Sequence, residues 1–100
     1  MTYRVELKPA ARRTLLGLPR GVQIRLRDAL RALSQAPRGP ATAKLAGGEE
    51  LWRVRVGDYR ILYEIRDEEL LILVIRLGHR REIYRVREAP EADAVYAPGP

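Results

Sequence analysis

The dipeptide Gly57-Asp58 constrains this chain more than any other feature, because it joins two segments of alternating polarity, LWRVRV before it and YRILYEI after it. Alternation with a period of two is the pattern of a strand, and a two-residue connection with glycine first is that of a tight hairpin. Such a turn fixes the register. Val56 must face Tyr59, Arg55 must face Arg60, Val54 must face Ile61 and Trp52 must face Tyr63. One sheet face then collects Trp52, Val54, Val56, Tyr59, Ile61, Tyr63 and Ile65, and the other collects Arg53, Arg55, Arg60 and Leu62. Two arginines come out directly opposite each other, an arrangement that costs up to about 1 kcal/mol. A hairpin shaped by stability alone would not be expected to place them there, so the pair reads as a site for an anion.

The remaining elements follow from periodicity and from where glycine and proline interrupt it. Tyr3 to Leu7 alternates as a short first strand. Pro9 suits the first turn of a helix over Ala10 to Leu18, which Gly17 and Pro19 end. A second amphipathic helix opens near Pro19 and runs to about Gln35, with Val22, Leu26, Ala29, Leu30 and Leu33 on its apolar side. Pro37, Gly39 and Pro40 stop it, and residues 37–50, including Lys44-Leu45-Ala46-Gly47-Gly48, read as a loop back to the sheet. After the hairpin, the acidic turn Asp67-Glu68-Glu69 leads into a third strand of that region, Leu70 to Leu77, apolar almost throughout as a central strand is. A three-residue turn there would pair Arg66 with Leu70 and Arg60 with Arg76, extending the arginine row; a turn of two or four residues would shift the parity. The expected fold is α+β in the order β-α-α-β-β-β, an antiparallel sheet with a helical pair packed on one face.

A chain of 100 residues supports one modest core, placed here in a single domain over residues 1–87. Residues 88–100 read as a mobile, acidic, Pro/Ala-rich tail. That tail holds three acids and no base, which leaves residues 1–87 with 19 bases against 10 acids. Such a surplus favours polyanionic partners. With no cysteine, a disulfide framework, a thiolate metal site and a thiol nucleophile are all excluded. The start, MTYRVELK, has no apolar leader segment, and the longest apolar run, Leu70 to Ile75, is too short to span a bilayer. The expectation is a cytoplasmic protein with no membrane partner, no metal and no small-molecule cofactor.

The order of elements, the KLAG loop, the LWRVRVGDYRILYEI hairpin and the LGHRREIYR ending together resemble the RelE/ParE superfamily of small bacterial toxins from type II toxin–antitoxin systems, over Tyr3 to Arg87. Resemblance to the RelE branch implies a ribosome-dependent endonuclease, an mRNA interferase that inhibits translation by cutting mRNA on the ribosome, and a cognate antitoxin as its protein partner. By the same resemblance Arg53 and Arg55 fall where that branch commonly has basic residues, and Arg60 falls on its phosphate-contacting arginine. Arg80 falls on its second catalytic arginine and Tyr84 on the tyrosine near the end of its fold. Arg76 and Arg81 join Arg53, Arg55 and Arg60 as the RNA- and phosphate-binding set.

The chemistry implied is metal-independent attack of a ribose 2′-hydroxyl on the adjacent phosphate. It needs charge stabilisation at phosphorus, a base and an acid. Arg55 and Arg60 supply the first, since each planar fork can hold two phosphate oxygens. The base stays open: arginine does not give up its proton, whereas Tyr84, His79, a water or the ribosome can accept one. The candidate catalytic set is therefore Arg60, Arg80, Tyr84, Arg55 and His79. Two readings compete with the nuclease: a ParE-like, non-hydrolytic inhibitor of DNA gyrase, and a basic module that binds nucleic acid or antitoxin without catalysis.

Overall fold

A computed structural model describes residues 2–45 and 50–79. The chain builds β1 (Arg4–Leu7), α1 (Pro9–Leu16), α2 (Arg20–Gln35), β2 (Thr42–Lys44), β3 (Leu51–Val56), β4 (Tyr59–Arg66), a single 3₁₀ turn (Asp67–Glu69) and β5 (Leu71–His79). The five strands form one sheet in the order β1-β5-β4-β3-β2. All neighbours are antiparallel except β1, which runs parallel to β5. The α+β class, the helical pair and the β3-β4-β5 meander are as the sequence predicts. The sheet is mixed and has one strand more than expected, because Thr42–Lys44 pairs with Trp52–Val54 inside the segment read as a loop.

Pro9 opens α1 at a position that needs no N–H, and Ala10, Ala11 and Leu15 turn inward. No side chain caps either helix N-terminus. The α1–α2 junction is instead held by Gln23, whose Nε2 donates to the carbonyls of Leu16 (3.2 Å) and Leu18 (2.9 Å), both left without helical partners. In α2, Leu26, Leu30 and Leu33 recur at helical spacing and are buried, while Arg25, Arg27 and Arg31 stay exposed. These leucines meet Val54, Ile61, Tyr63, Ile65, Ile72, Val74 and Leu77 in the core, with Trp52, Val56 and Tyr59 packed at its margin. Burying one such side chain contributes about 1.5–3 kcal/mol.

The hairpin register is the one the turn demands: Val56↔Tyr59, Arg55↔Arg60, Val54↔Ile61 and Trp52↔Tyr63. Gly57 has φ of 63°, and Asp58 is not among the residues with positive φ, as in a turn that needs glycine at its first central position. The β4–β5 turn differs from the three-residue loop considered above. Leu70 adopts a left-handed conformation (φ 51°), so Arg66 pairs with Leu71 rather than Leu70. That four-residue turn would put the arginines of β4 and β5 on opposite faces. An irregularity at Ile75 reverses the shift: Tyr63 pairs with Val74, but the next residue back, Leu62, pairs with Arg76. Arg60 consequently faces Gly78, and Arg76 lies diagonal to it on the same face.

At the end of the sheet away from the hairpin, Asp67 ties the β4–β5 turn to the loop after α2. It accepts from Tyr3 Oη (2.6 Å) and from Arg38 Nη1 (3.3 Å) and Nη2 (2.8 Å). The Arg38 guanidinium also lies over the Trp52 ring, 5.6 Å from its centre. Nearby, the buried Tyr63 hydroxyl donates to the Pro37 carbonyl at 2.6 Å.

Candidate active site

The sheet face away from the helices carries two adjacent ladder rows. One runs Arg53–Leu62–Arg76 and the next Arg55–Arg60–Gly78, across β3, β4 and β5. Four arginines therefore surround Leu62, and glycine keeps one corner free of a side chain. Neighbouring strands are about 4.8 Å apart and rows about 7 Å apart, so the group has the footprint of a phosphate and its sugar. Although it faces away from the helices, the centre of the patch is not open: Arg60 is 3% and Leu62 2% exposed. Arginine stems on both flanking strands suit the cover of an apolar residue between them.

Arg60 is poorly partnered for a buried cation. Its Nη1 donates to the carbonyls of Tyr59 at 3.3 Å and Gly57 at 3.5 Å, both beyond the usual N–H···O range of about 2.7–3.2 Å. Its buried Nε has no acceptor. Among the described residues no carboxylate pairs with Arg53, Arg55 or Arg60, although exposed arginines elsewhere find one, as Arg31 does with Asp28 and Arg66 with Glu64. The carboxylate on the same face of β4, Glu64, is taken by Arg66 at 3.0 Å. A buried guanidinium with unused donors, set against a like charge, is arranged for an anion supplied from outside.

The remaining candidates fall in three groups. Arg53, Arg55, Arg60 and Arg76 are brought together. His79 is not brought to them: it pairs with Tyr59 and meets that ring edge-on, centroids 5.8 Å apart, on the helix-facing side of the sheet. Arg80, Arg81 and Tyr84 lie outside the described residues, as do residues 88–100. Among the described residues the patch thus supplies positive charge and no group suited to accept a proton.

Comparison with known proteins bears on what such a patch belongs to. Residues 5–84 match the family described as the ParE toxin of type II toxin–antitoxin systems, parDE. The chain belongs to the RelE/ParE toxin superfamily. It is 36% identical over 89 residues to toxin RelG of Mycobacterium tuberculosis, covering 85% of this chain and 99% of that one. Its fold is similar to the RelBE2 toxin–antitoxin complex of the same organism (TM-score 0.71, 30% identity, 80% and 100% of the two chains). It is also similar to an arginine-to-alanine mutant of Escherichia coli RelE in the free state (TM-score 0.75, 25% identity, 91% and 97%). This RelE-family toxin has, among its described residues, no helix long and apolar enough to cross a membrane.

One further residue of this toxin lies near the patch. Arg25 is exposed like Arg27 and Arg31 on the same helix, yet its guanidinium lies against the hairpin turn: a side chain added at Gly57 would meet Arg25 Nη1 at 3.7 Å. No pattern in the sequence links positions 25 and 57, because only the packing of α2 on the sheet brings them together.

Proposed function

We propose that this toxin is a ribosome-dependent mRNA endonuclease that inhibits translation in the cytoplasm, cutting by metal-independent attack of a ribose 2′-hydroxyl on the adjacent phosphate. The observation that carries the reading is Arg60, buried, opposite Arg55, with donors unused and no carboxylate partner among the described residues. In this role Arg60 and Arg55 hold the non-bridging oxygens and offset the charge that develops as the 2′-oxygen bonds to phosphorus. Arg53 and Arg76 hold flanking phosphates. Arg80, by its place in the family motif, adds charge at the leaving oxygen, Arg81 holds a phosphate, and Tyr84 positions or stacks on a base. His79, on the other side of the sheet, is better suited to packing against Tyr59 than to proton transfer. Among the described residues the patch holds no base, which agrees with a need for the ribosome to supply or orient the proton acceptor. A cognate antitoxin is the proposed protein partner, in keeping with relatives whose structures are toxin–antitoxin complexes.

The test is to induce the toxin and its Arg60→Ala, Arg80→Ala double variant and to map the 5′ ends of cellular mRNA. New ends within translated codons are expected only with the unaltered chain. Growth arrest with intact mRNA, or arrest that persists in the double variant, defeats the nuclease reading. The match to a family described by ParE favours one competitor, inhibition of DNA gyrase without hydrolysis. Loss of supercoiling activity of purified gyrase on adding the toxin would establish it.

A further inference from the structure

We infer that Arg25 is an RNA-backbone contact that carries the bound strand around the tip of the β3–β4 hairpin; this rests on the reading of the toxin as an RNA-cleaving enzyme. Two guanidiniums straddle one glycine. Arg60 Nη1 is 3.5 Å from the Gly57 carbonyl oxygen on one side, and Arg25 Nη1 is 3.7 Å from the position of a Gly57 Cβ on the other. Peptide geometry then limits the separation of the two groups to about 11 Å. Arg25 is exposed and, among the described residues, has no carboxylate partner, whereas Arg31, two turns further along α2, is paired with Asp28 at 3.0 Å.

A strand anchored at Arg55 and Arg60 can leave the patch in two directions along β4. Towards Glu64 it crosses the Arg53–Leu62–Arg76 row and then meets the carboxylate of the Glu64–Arg66 pair. Towards the turn it meets backbone, one exposed carboxylate and then Arg25. That carboxylate is Asp58, which forms no ion pair with Arg25 or Arg60 and is the local opposing charge. Gly57 has no side chain to obstruct the path, and its φ of 63° keeps it that way, since other residues rarely adopt it. Arg25 thus continues the cationic line from one sheet face to the helical side.

The test compares Arg25→Gln with Arg31→Gln, which removes the same charge from the same helix but from a paired residue. Binding to a short single-stranded RNA and to vacant ribosomes is measured across a salt series, with cleavage of mRNA on ribosomes followed in parallel. Arg25→Gln is expected to weaken binding about 5–10-fold at low salt and to lower the log–log salt slope by about 1, while Arg31→Gln changes both little. In cleavage it raises KM more than it lowers kcat. A loss confined to the RNA places the contact on mRNA, and one confined to ribosomes places it on ribosomal RNA. Asp58→Asn is expected to tighten the same binding. If Arg25→Gln matches Arg31→Gln in both arms, the contact is refuted although the nuclease stands. If the unaltered toxin cuts no mRNA, the nuclease reading falls and takes this inference with it.

Discussion

Arg55 and Arg60 are direct partners across the β3–β4 ladder, with one exposed and the other buried, and no carboxylate among the described residues neutralises either. Opposed like charges on a sheet cost up to about 1 kcal/mol, and a buried donor without an acceptor costs about 1–3 kcal/mol. Function and stability therefore pull in opposite directions at this pair. Arg60→Met, apolar and of comparable length, is expected to leave the free energy of unfolding unchanged or raise it by up to about 1 kcal/mol. The same change is expected to lower mRNA cleavage at least about 100-fold. Equilibrium unfolding and a cleavage assay on ribosomes check the two halves separately.

Tyr63 makes the fold sensitive to alkali. Burial raises its pKa from 10.0 to about 12, and its hydroxyl donates to the Pro37 carbonyl. The folded state thus favours the protonated phenol: its contribution is complete below pH 10 and is lost as pH rises through about 12. Tyr63→Phe is expected to cost about 1–3 kcal/mol near neutrality by stranding a buried carbonyl. It should also flatten the alkaline limb of a stability–pH curve, measured by thermal unfolding.

At the acid end the corresponding group is Asp67. The Arg38 guanidinium, and after it the Tyr3 hydroxyl, hold its carboxyl below the usual 3.8. Its contribution is therefore present above pH 3.8 and is lost as pH falls through the lowered folded value. Asp67→Asn should lower stability at neutral pH and weaken the dependence on pH below that point. Fluorescence of Trp52, against which Arg38 rests, gives a convenient local readout.

Two backbone substitutions should act with opposite sign. Gly57→Ala forces a β-carbon into φ of 63° and is expected to destabilise by about 1–2 kcal/mol. Ala41, exposed and at φ of 68°, already bears that strain. Ala41→Gly is expected to be neutral or to stabilise by a few tenths of a kcal/mol, relief of strain being offset by a more flexible unfolded chain. Urea midpoints of the two variants decide the point.

Much of this was legible from local pattern alone. From Gly57-Asp58 and the alternation around it follow four ladder pairs and the faces of Trp52 to Val56 and Tyr59 to Tyr63, because turn geometry transmits register without reference to the rest of the chain. What escaped was non-local or smaller than any periodic signal. Thr42–Lys44 is only three residues long, and its pairing with β3 depends on the return path of the chain. The left-handed Leu70 and the irregularity at Ile75 each shift parity by one, and only their combination returns Arg76 to the arginine face. The same strand sends His79 to the side of Tyr59, away from Arg55 and Arg60, which no local pattern announced.

The parallel pairing of β1 with β5 has a consequence for when the toxin comes into being. Arg4 and Leu71 are ladder partners, so the first strand synthesised must wait for the last. At about 5–20 residues per second the intervening stretch takes several seconds to emerge, and closing so long a loop is intrinsically slow. The Arg53–Leu62–Arg76 row likewise needs β5 for its third member. A nascent chain therefore cannot carry the assembled arginine patch, and whatever the patch does is deferred until the sheet can close.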